Sequence, residues 1–231
     1  MTTGDFNPSK AMITKAEVSN FSKTKTENIV ALIGGFSITQ SITTPSFSIV
    51  LQVADMIGWL EGEREFGEVR GEETIELEIE CKDLGTKIFI EGYIVRVDGV
   101  QPHSNYRGLI YNLHVISKTS FEAGTKKIIQ AFKKRTASDV AQNIFNQSYG
   151  KVFDSGNMLY SGIPSFKDVR GTIGNAKTVY FEHSADTLSL ATVIPNLTPA
   201  SALNFIAQRA YSEESKSSAF RFFETITGYY W

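Results

Sequence analysis

The segment TPASALNFIAQRAYSEESKSSAFRFFETITGYYW, residues 198–231, holds the clearest helix start of the chain and its most aromatic strand. Thr198 is a good N-cap residue, and Pro199 suits the first position of a helix. The sequence therefore predicts a helix from Pro199 to about Tyr211. Its apolar residues recur on one helical face: Leu203, Ile206, Ala207 and Ala210.

The end of this segment has the pattern of a β-hairpin. Phe220, Phe222 and Glu224 alternate with the residues between them, residues 225–228 can form the turn, and residues 229–231 begin a return strand. Six aromatic side chains are too many to leave in water, so we expect the hairpin to pack on the preceding helix. The expected hairpin core consists of Leu203, Ile206, Phe220, Phe222 and Phe223.

Upstream, the signal from Met12 to about Val100 is almost entirely β. Apolar or alternating runs predict strands at Ile29–Ile33, Phe47–Leu51, Thr74–Cys81, Ile88–Val97 and Leu109–Ile116. The last two are separated by turn residues and predict an antiparallel hairpin. A short helix is predicted over Ala54–Leu60.

The pattern changes after Thr119. The basic run Lys126–Arg135 suggests a connecting strand or a short helix, and Thr136 can cap a helix over Ala137–Gln147. Residues 150–177 are predicted to be mostly loop, followed by a strand at Thr178–Glu182. The fold class is α+β with mainly antiparallel strands: a flexible arm at residues 1–10, a β domain at 11–125, and a mixed α/β domain at 126–231.

Composition excludes several classes of protein. The 231 residues include 42% hydrophobic and 21% charged residues, which is typical of a globular chain. A net charge of −2 argues against a general nucleic-acid binder, and a single cysteine, Cys81, excludes an internal disulfide framework. No stretch is apolar enough for a membrane span, and the polar first ten residues do not resemble a signal peptide. A cytoplasmic origin is the default expectation.

A search for catalytic or metal-binding motifs finds none. His103, His114 and His183 lack metal-ligand spacing, and Cys81 lies on the apolar side of a predicted strand. The Gly171–Gly174 segment lacks the lysine of a P-loop. The carboxylates between Glu61 and Glu80 are plentiful but have no diagnostic spacing. The sequence therefore predicts no catalytic, cofactor-binding or metal-binding residue, and no cofactor.

The order of elements resembles a known family. Pro199, Ala202, Leu203, Ile206 and Ala207 fit the pattern P-x-x-A-L-x-x-[IL]-A, and residues 220–224 fit the aromatic strand [FY]-x-F-F-E that follows it. This combination resembles the central baseplate hub proteins of contractile-tailed (T-even-like) phages and the hub part of VgrG-like spike proteins. The resemblance covers most of residues 28–231 in element order and is specific by motif over residues 198–231.

The resemblance implies a structural role. Such hubs are homotrimers that adapt the six-fold tail tube to the three-fold central spike, and they contact other baseplate proteins. Each subunit carries tail-tube-like β-barrels, which would place one over residues 11–125. The family continues past the aromatic hairpin into a second tube-like domain, so we expect a fragment of a longer hub or a shortened one. The resemblance further implies a location in the virion baseplate, assembled in the host cytoplasm.

One feature of the β domain bears on this role. Glu76, Glu78 and Glu80 share one face of a predicted strand. This face is either an ordinary solvent-exposed face or, in a trimeric ring, the wall of a channel through which DNA passes without specific binding. Two other interpretations remain open: a tail-associated peptidoglycan hydrolase that uses two of the carboxylates in Glu61–Glu80, and a free-standing β-rich binding module.

Overall fold

A computed structural model describes most of the chain and divides it into two compact units. The described residues are 11–60, 69, 71–81, 86–103, 108–149, 159–160, 172–173, 178–180, 190–211, 216 and 218–231. One unit comprises Met1–Ser37, Ile49–Val115 and Ser165–Asn175, and the other comprises Ile38–Ser48, Ile116–Pro164 and Ala176–Trp231. The predicted arm at residues 1–10 lies outside the described residues, and the predicted division at residue 125 stays a prediction.

The first unit is built on an eight-stranded sheet. Its strands are β1 (Ala11–Ser19), β2 (Thr26–Asn28), β3 (Ile33–Thr39), β4 (Ser48–Asp55), β5 (Thr74–Cys81), β6 (Thr86–Pro102), β7 (Leu109–Ser117) and β10 (Thr172–Ile173). The order is β2-β1-β5-β6-β7-β4-β3, and β10 pairs in parallel with β6. β1 is antiparallel to β2 and β5, and β5 is antiparallel to β6.

Strict alternation gives this sheet one buried face. Along β5, Ile75, Leu77 and Ile79 are buried, as the sequence pattern predicted. Neighbouring strands add buried side chains to the same core: Ala16, Val18, Ile49, Leu51, Val53, Ile90, Ile94, Tyr111, Leu113 and Val115.

The second unit contains the helices and two small sheets. Its elements are α1 (Lys118–Gly124), β8 (Ile128–Arg135), α2 (Ala137–Tyr149), β9 (Leu159–Tyr160), β11 (Thr178–Tyr180), β12 (Leu190–Leu197), α3 (Pro199–Ala207), β13 (Phe223–Glu224) and β14 (Gly228–Tyr230). β8 pairs antiparallel with β12, and β13-β14-β11-β9 form a four-stranded sheet. The chain is thus α+β, with mostly antiparallel pairing and few helices among the described residues.

Both predicted helix starts are confirmed. The Thr136 hydroxyl accepts the backbone N–H of Asp139 at 2.9 Å, and the Thr198 hydroxyl accepts that of Ser201 at 3.4 Å. The terminal hairpin is also confirmed, because β13 and β14 pair antiparallel around residues 225–227. The basic run, left open between helix and strand, is the strand β8.

Two predictions from apolar runs were wrong. Residues 30–32 form a 3-10 turn, not part of a strand, because the Asn28 side chain accepts the N–H of Val30 at 3.0 Å and holds the chain in a turn. No helix forms over residues 54–60. There the Asp55 carboxylate accepts hydrogen bonds from the N–H groups of Ile57, Trp59 and Leu60. In a helix these N–H groups would donate to backbone carbonyls.

Helix α1 was not predicted from the sequence. It is seven residues long and begins within the Ser/Thr-rich run Ser117–Ser120, which has low intrinsic helix propensity. Of the predicted loop 150–177, the structure describes only β9 and β10, and of the strand Thr178–Glu182 only Thr178–Tyr180.

Candidate assembly surfaces

The outer face of β5 carries the three glutamates singled out in the sequence. Glu76 is exposed, and Glu78 and Glu80 are half-buried. The carboxylate of Glu76 lies 2.8 Å from the Lys15 ammonium group on β1, and that of Glu78 lies 2.8 Å from the Lys87 ammonium group on β6. The acidic row is therefore flanked by lysines of both neighbouring strands.

These ion pairs shift the pKa values of Lys15 and Glu78. Hydrogen bonding to Glu76, and then to Glu17, raises the pKa of Lys15 above its usual range. The hydrogen bond from Lys87 lowers the pKa of Glu78. Glu17 and Glu91 lie opposite Glu76 in the sheet, so the face holds five carboxylates and two ammonium groups, a net charge of −3. It remains acidic after pairing.

A second polar cluster lies on β6 and β7. Asp98 is 2.8 Å from His114 Nε2 and 2.9 Å from the Arg96 guanidinium, and it accepts a hydrogen bond from Asn112 at 3.3 Å. Partial burial opposes ionisation of Asp98, but these contacts more than offset it and lower its pKa. His114 is thus a strand histidine in an ion-pair cluster.

His103 and Cys81, the other residues considered from the sequence, belong to no group of potential metal ligands in the described part of the chain. His103 directly follows β6, Cys81 is a half-buried free thiol, and no group of three potential metal ligands occurs among the described residues. His183 and the carboxylates of residues 61–68 lie outside them. No described helix is long and apolar enough to cross a membrane.

The expected hairpin core is divided between two faces of the hairpin. Leu203, Ile206 and Phe222 are fully or almost fully buried in one cluster, and Phe220 packs at its edge. Phe223 points the other way and stacks on Tyr230, with ring centroids 5.0 Å apart. The backbone reinforces the contact with the helix, because the Asn204 side chain of α3 accepts the N–H of Phe222 at 3.0 Å.

Aromatic rings of α2 complete this cluster. Phe145 and Tyr149 stack with centroids 5.1 Å apart, and Tyr229 lies 5.3 and 5.4 Å from them. Phe222 stacks parallel to Tyr229 at 6.1 Å. Edge-to-face and offset ring pairs of this kind add about 0.5–1.5 kcal/mol each beyond burial. The terminal hairpin is therefore part of the core of the second unit.

Glu224 was part of the quoted motif, but sequence reasoning gave it no role. Its side chain is fully buried and accepts hydrogen bonds from the hydroxyl groups of Ser117, at 2.5 Å, of Thr119, at 3.3 Å, and of Ser120. The Tyr229 hydroxyl contacts Thr119. Burial and then the nearby Glu224 raise the pKa of Tyr229 well above its usual range, so this hydroxyl stays protonated. Glu224 thus joins the hairpin to the start of α1.

A solvent-exposed basic groove lies between β8 and α2. It has a volume of about 440 Å³ and is lined on the strand side by Gln130–Lys133 and Arg135, and on the helix side by Asp139, Gln142, Asn143 and Asn146. The basic run of the sequence thus forms one wall of the groove, and the polar face of α2 forms the other.

Neither a known protein family nor a curated protein matches the chain. Among solved structures it is similar to a tail protein from Neisseria meningitidis MC58, with 13% identity and a TM-score of 0.47 over 94% of this chain and 49% of that one. It is similar to the 43 kDa tail protein of prophage MuSo2 from Shewanella oneidensis, with 12% identity and a TM-score of 0.49 over 94% and 52%. It is also similar to the prophage tail protein gp18 from Listeria monocytogenes EGD-e, with 8% identity and a TM-score of 0.42 over 94% of this chain and 50% of that one.

The chain therefore spans about half the length of each of these three proteins.

Proposed function

We propose that the chain is a structural subunit of a phage tail and, more specifically, part of a central baseplate hub. The observation that carries this proposal is the helix–hairpin unit at residues 198–231. It matches the hub pattern by residue type, and each matching apolar position of the helix is buried: Pro199, Ala202, Leu203, Ile206 and Ala207. A structural and not an enzymatic role follows from this proposal.

As a hub, the chain forms a homotrimer that adapts the tail tube to the central spike and contacts other baseplate proteins. It resides in the virion baseplate, is assembled in the host cytoplasm, and folds its first unit as a tube-like barrel. The outer face of β5 lines the channel, where its net charge of −3 repels phosphate and lets DNA pass without specific binding.

Imaging of the native tail by electron cryo-microscopy tests this proposal. We expect three copies around the tail axis between tube and spike, with Glu76, Glu78 and Glu80 facing the channel. Absence of the chain from the particle would contradict the tail assignment. Its presence with the three side chains pointing away from the axis would contradict only the channel wall.

The hydrolase alternative gains no support from the described residues. A glycosidase needs two carboxyl groups across a cleft, whereas Glu76, Glu78 and Glu80 share one face of β5, and the groove between β8 and α2 has Asp139 alone among its described lining carboxylates. We expect peptidoglycan zymography with the full-length protein to show no clearing. A cleared band would contradict the structural role.

A further inference from the structure

The groove between β8 and α2 has the form of a site for an added strand. Its strand wall includes the consecutive residues 130–133, whose side chains alternate between the two faces of β8. Since four successive residues line it, the wall includes the backbone edge of the strand. Among the described residues β8 pairs only with β12, so this edge has unpaired N–H and C=O groups.

A bulge in β8 places three cations beside the groove. Phe132 pairs with Thr192, and Arg135 pairs with Leu190. The strand β8 therefore advances three residues where β12 advances two. The extra residue is accommodated at Lys134, which has a φ of 53° although it is not glycine. The strand alternates up to the buried Phe132, and the next three residues, Lys133, Lys134 and Arg135, are all exposed.

The helix wall is polar along its length. Asp139, Gln142, Asn143 and Asn146 follow the i, i+3, i+4, i+7 spacing of one helical face, while the opposite face of α2 is buried in the core. Gln142 and Asn146 make no side-chain hydrogen bond within the described part of the chain. Three amides and one carboxylate therefore oppose an unpaired strand edge, and the nearby cations outnumber the carboxylate.

We propose that this groove binds an extended segment of a partner protein that carries acidic side chains. The segment adds to the free edge of β8 as a third strand, and its main chain forms hydrogen bonds with the unpaired backbone groups of that edge. Its carboxylates pair with Lys133, Lys134 and Arg135, and polar side chains meet the amides of α2. At about 3.4 Å per residue, the edge from Gln130 to Arg135 suits a segment of roughly five or six residues.

Charge complementarity and edge geometry together select this occupant. An apolar segment would leave the cations and amides without partners, which costs binding free energy. A nucleic-acid strand would match the cations, but its phosphates cannot satisfy the alternating donors and acceptors of a strand edge. The proposal does not depend on the hub assignment, since the groove residues lie outside the helix–hairpin unit at residues 198–231 that carries that assignment.

Nuclear magnetic resonance with the ¹⁵N-labelled full chain tests the proposal. The probe is the capped peptide Thr-Glu-Thr-Glu-Thr-Glu, with Thr-Lys-Thr-Lys-Thr-Lys and a dodecamer of thymidylate as matched probes. We expect the acidic peptide to shift the amide signals of residues 129–135 and the side-chain amides of Gln142 and Asn146. The double variant Lys133→Glu/Arg135→Glu should weaken this binding at least about tenfold. The exposed Lys127→Glu variant should bind like the wild type.

The outcomes separate the alternatives. Unchanged core signals of α2 in the double variant show that it is folded, so its loss of binding is a loss at the groove. The proposal is overturned if the acidic peptide shifts no β8 amide, or if the lysine peptide shifts the same amides equally. It is also overturned if the thymidylate strand binds at the groove, the Lys133→Glu/Arg135→Glu variant weakens that binding, and the acidic peptide does not bind. The surface would then recognise phosphate.

Discussion

Replacing Glu224 with alanine should destabilise the second unit by about 3 kcal/mol. The substitution removes the shared acceptor of three hydroxyl groups. Ser117 and Thr119 keep each other as partners at 2.9 Å, and Thr119 also contacts Tyr229, so the side chain left without a partner in the described network is that of Ser120. Because Ser120 is half-buried, its unsatisfied hydroxyl costs about 1 kcal/mol, the low end of the range for buried groups, and the two other lost hydrogen bonds cost about 1 kcal/mol each.

Glu224→Gln provides an intermediate test. The amide keeps one acceptor oxygen at the site, and hydroxyl groups can reorient to accept from its NH₂ group. We expect a loss of about 1–2 kcal/mol for this variant. Glu122→Ala is the matched control, since Glu122 is exposed on α1 and a surface change of this kind usually stays within about 0.5 kcal/mol.

The assay must report on the second unit, because the two units need not unfold together. Hydrogen exchange measured by mass spectrometry gives this resolution, through peptides that cover α1 and the segment from β13 to β14. Opening free energies in these peptides should fall in the order wild type, Gln, Ala, with β5 peptides unchanged. A loss below about 1 kcal/mol in Glu224→Ala would refute the network's role, and an equal loss in Glu122→Ala would show a nonspecific effect on α1.

Three further substitutions follow from the structure. Phe222→Ala should cost about 3–5 kcal/mol in urea unfolding and the half-buried Phe223→Ala clearly less, so equal losses would contradict the two-faced hairpin. Lys134→Gly should stabilise the chain by about 0.5–1 kcal/mol, because glycine accepts the φ of 53° without strain, and a decrease in the urea midpoint would argue against it. Burial opposes ionisation of Asp55, but three backbone N–H groups and Tyr111 lower its pKa. The stability that ionised Asp55 contributes is therefore fully present above its pKa in the unfolded chain, about 3.9. It is lost as the pH falls through the lower pKa of the folded chain. In Asp55→Asn the free energy of unfolding should depend less on pH in the acid range. A pH dependence equal to that of the wild type would contradict this role of Asp55.

The parts of the fold that the sequence predicted are those determined by short-range patterns. β5 was predicted because its polar and apolar residues alternate strictly, and α2 and α3 because each follows a threonine cap. The hairpin at the end of the chain was predicted from aromatic alternation and turn residues. In each case the residues that determine the element lie within about one element's length of each other.

The features that were missed depend on contacts between distant residues or on unusual backbone. Glu224 meets Ser117, Thr119 and Ser120 across more than one hundred residues, and nothing in the local sequence marks a glutamate in an aromatic strand as a buried acceptor. The bulge at Lys134 has no local signature, because lysine is a poor choice for a left-handed conformation. Asp55 was misjudged because its apolar neighbours suggested a helix.

Asp55 and Glu224 are carboxylates whose oxygen atoms are engaged within the fold. Each is almost fully buried, and each accepts several hydrogen bonds, from backbone N–H groups around Asp55 and from hydroxyl groups around Glu224. A carboxyl group whose lone pairs are occupied in this way fixes a turn or a helix start and is poorly placed to exchange protons with a substrate. The exposed glutamates of β5 are engaged differently, by lysines of neighbouring strands. The described carboxylates of these sites therefore hold turns and helix starts in place or carry surface charge.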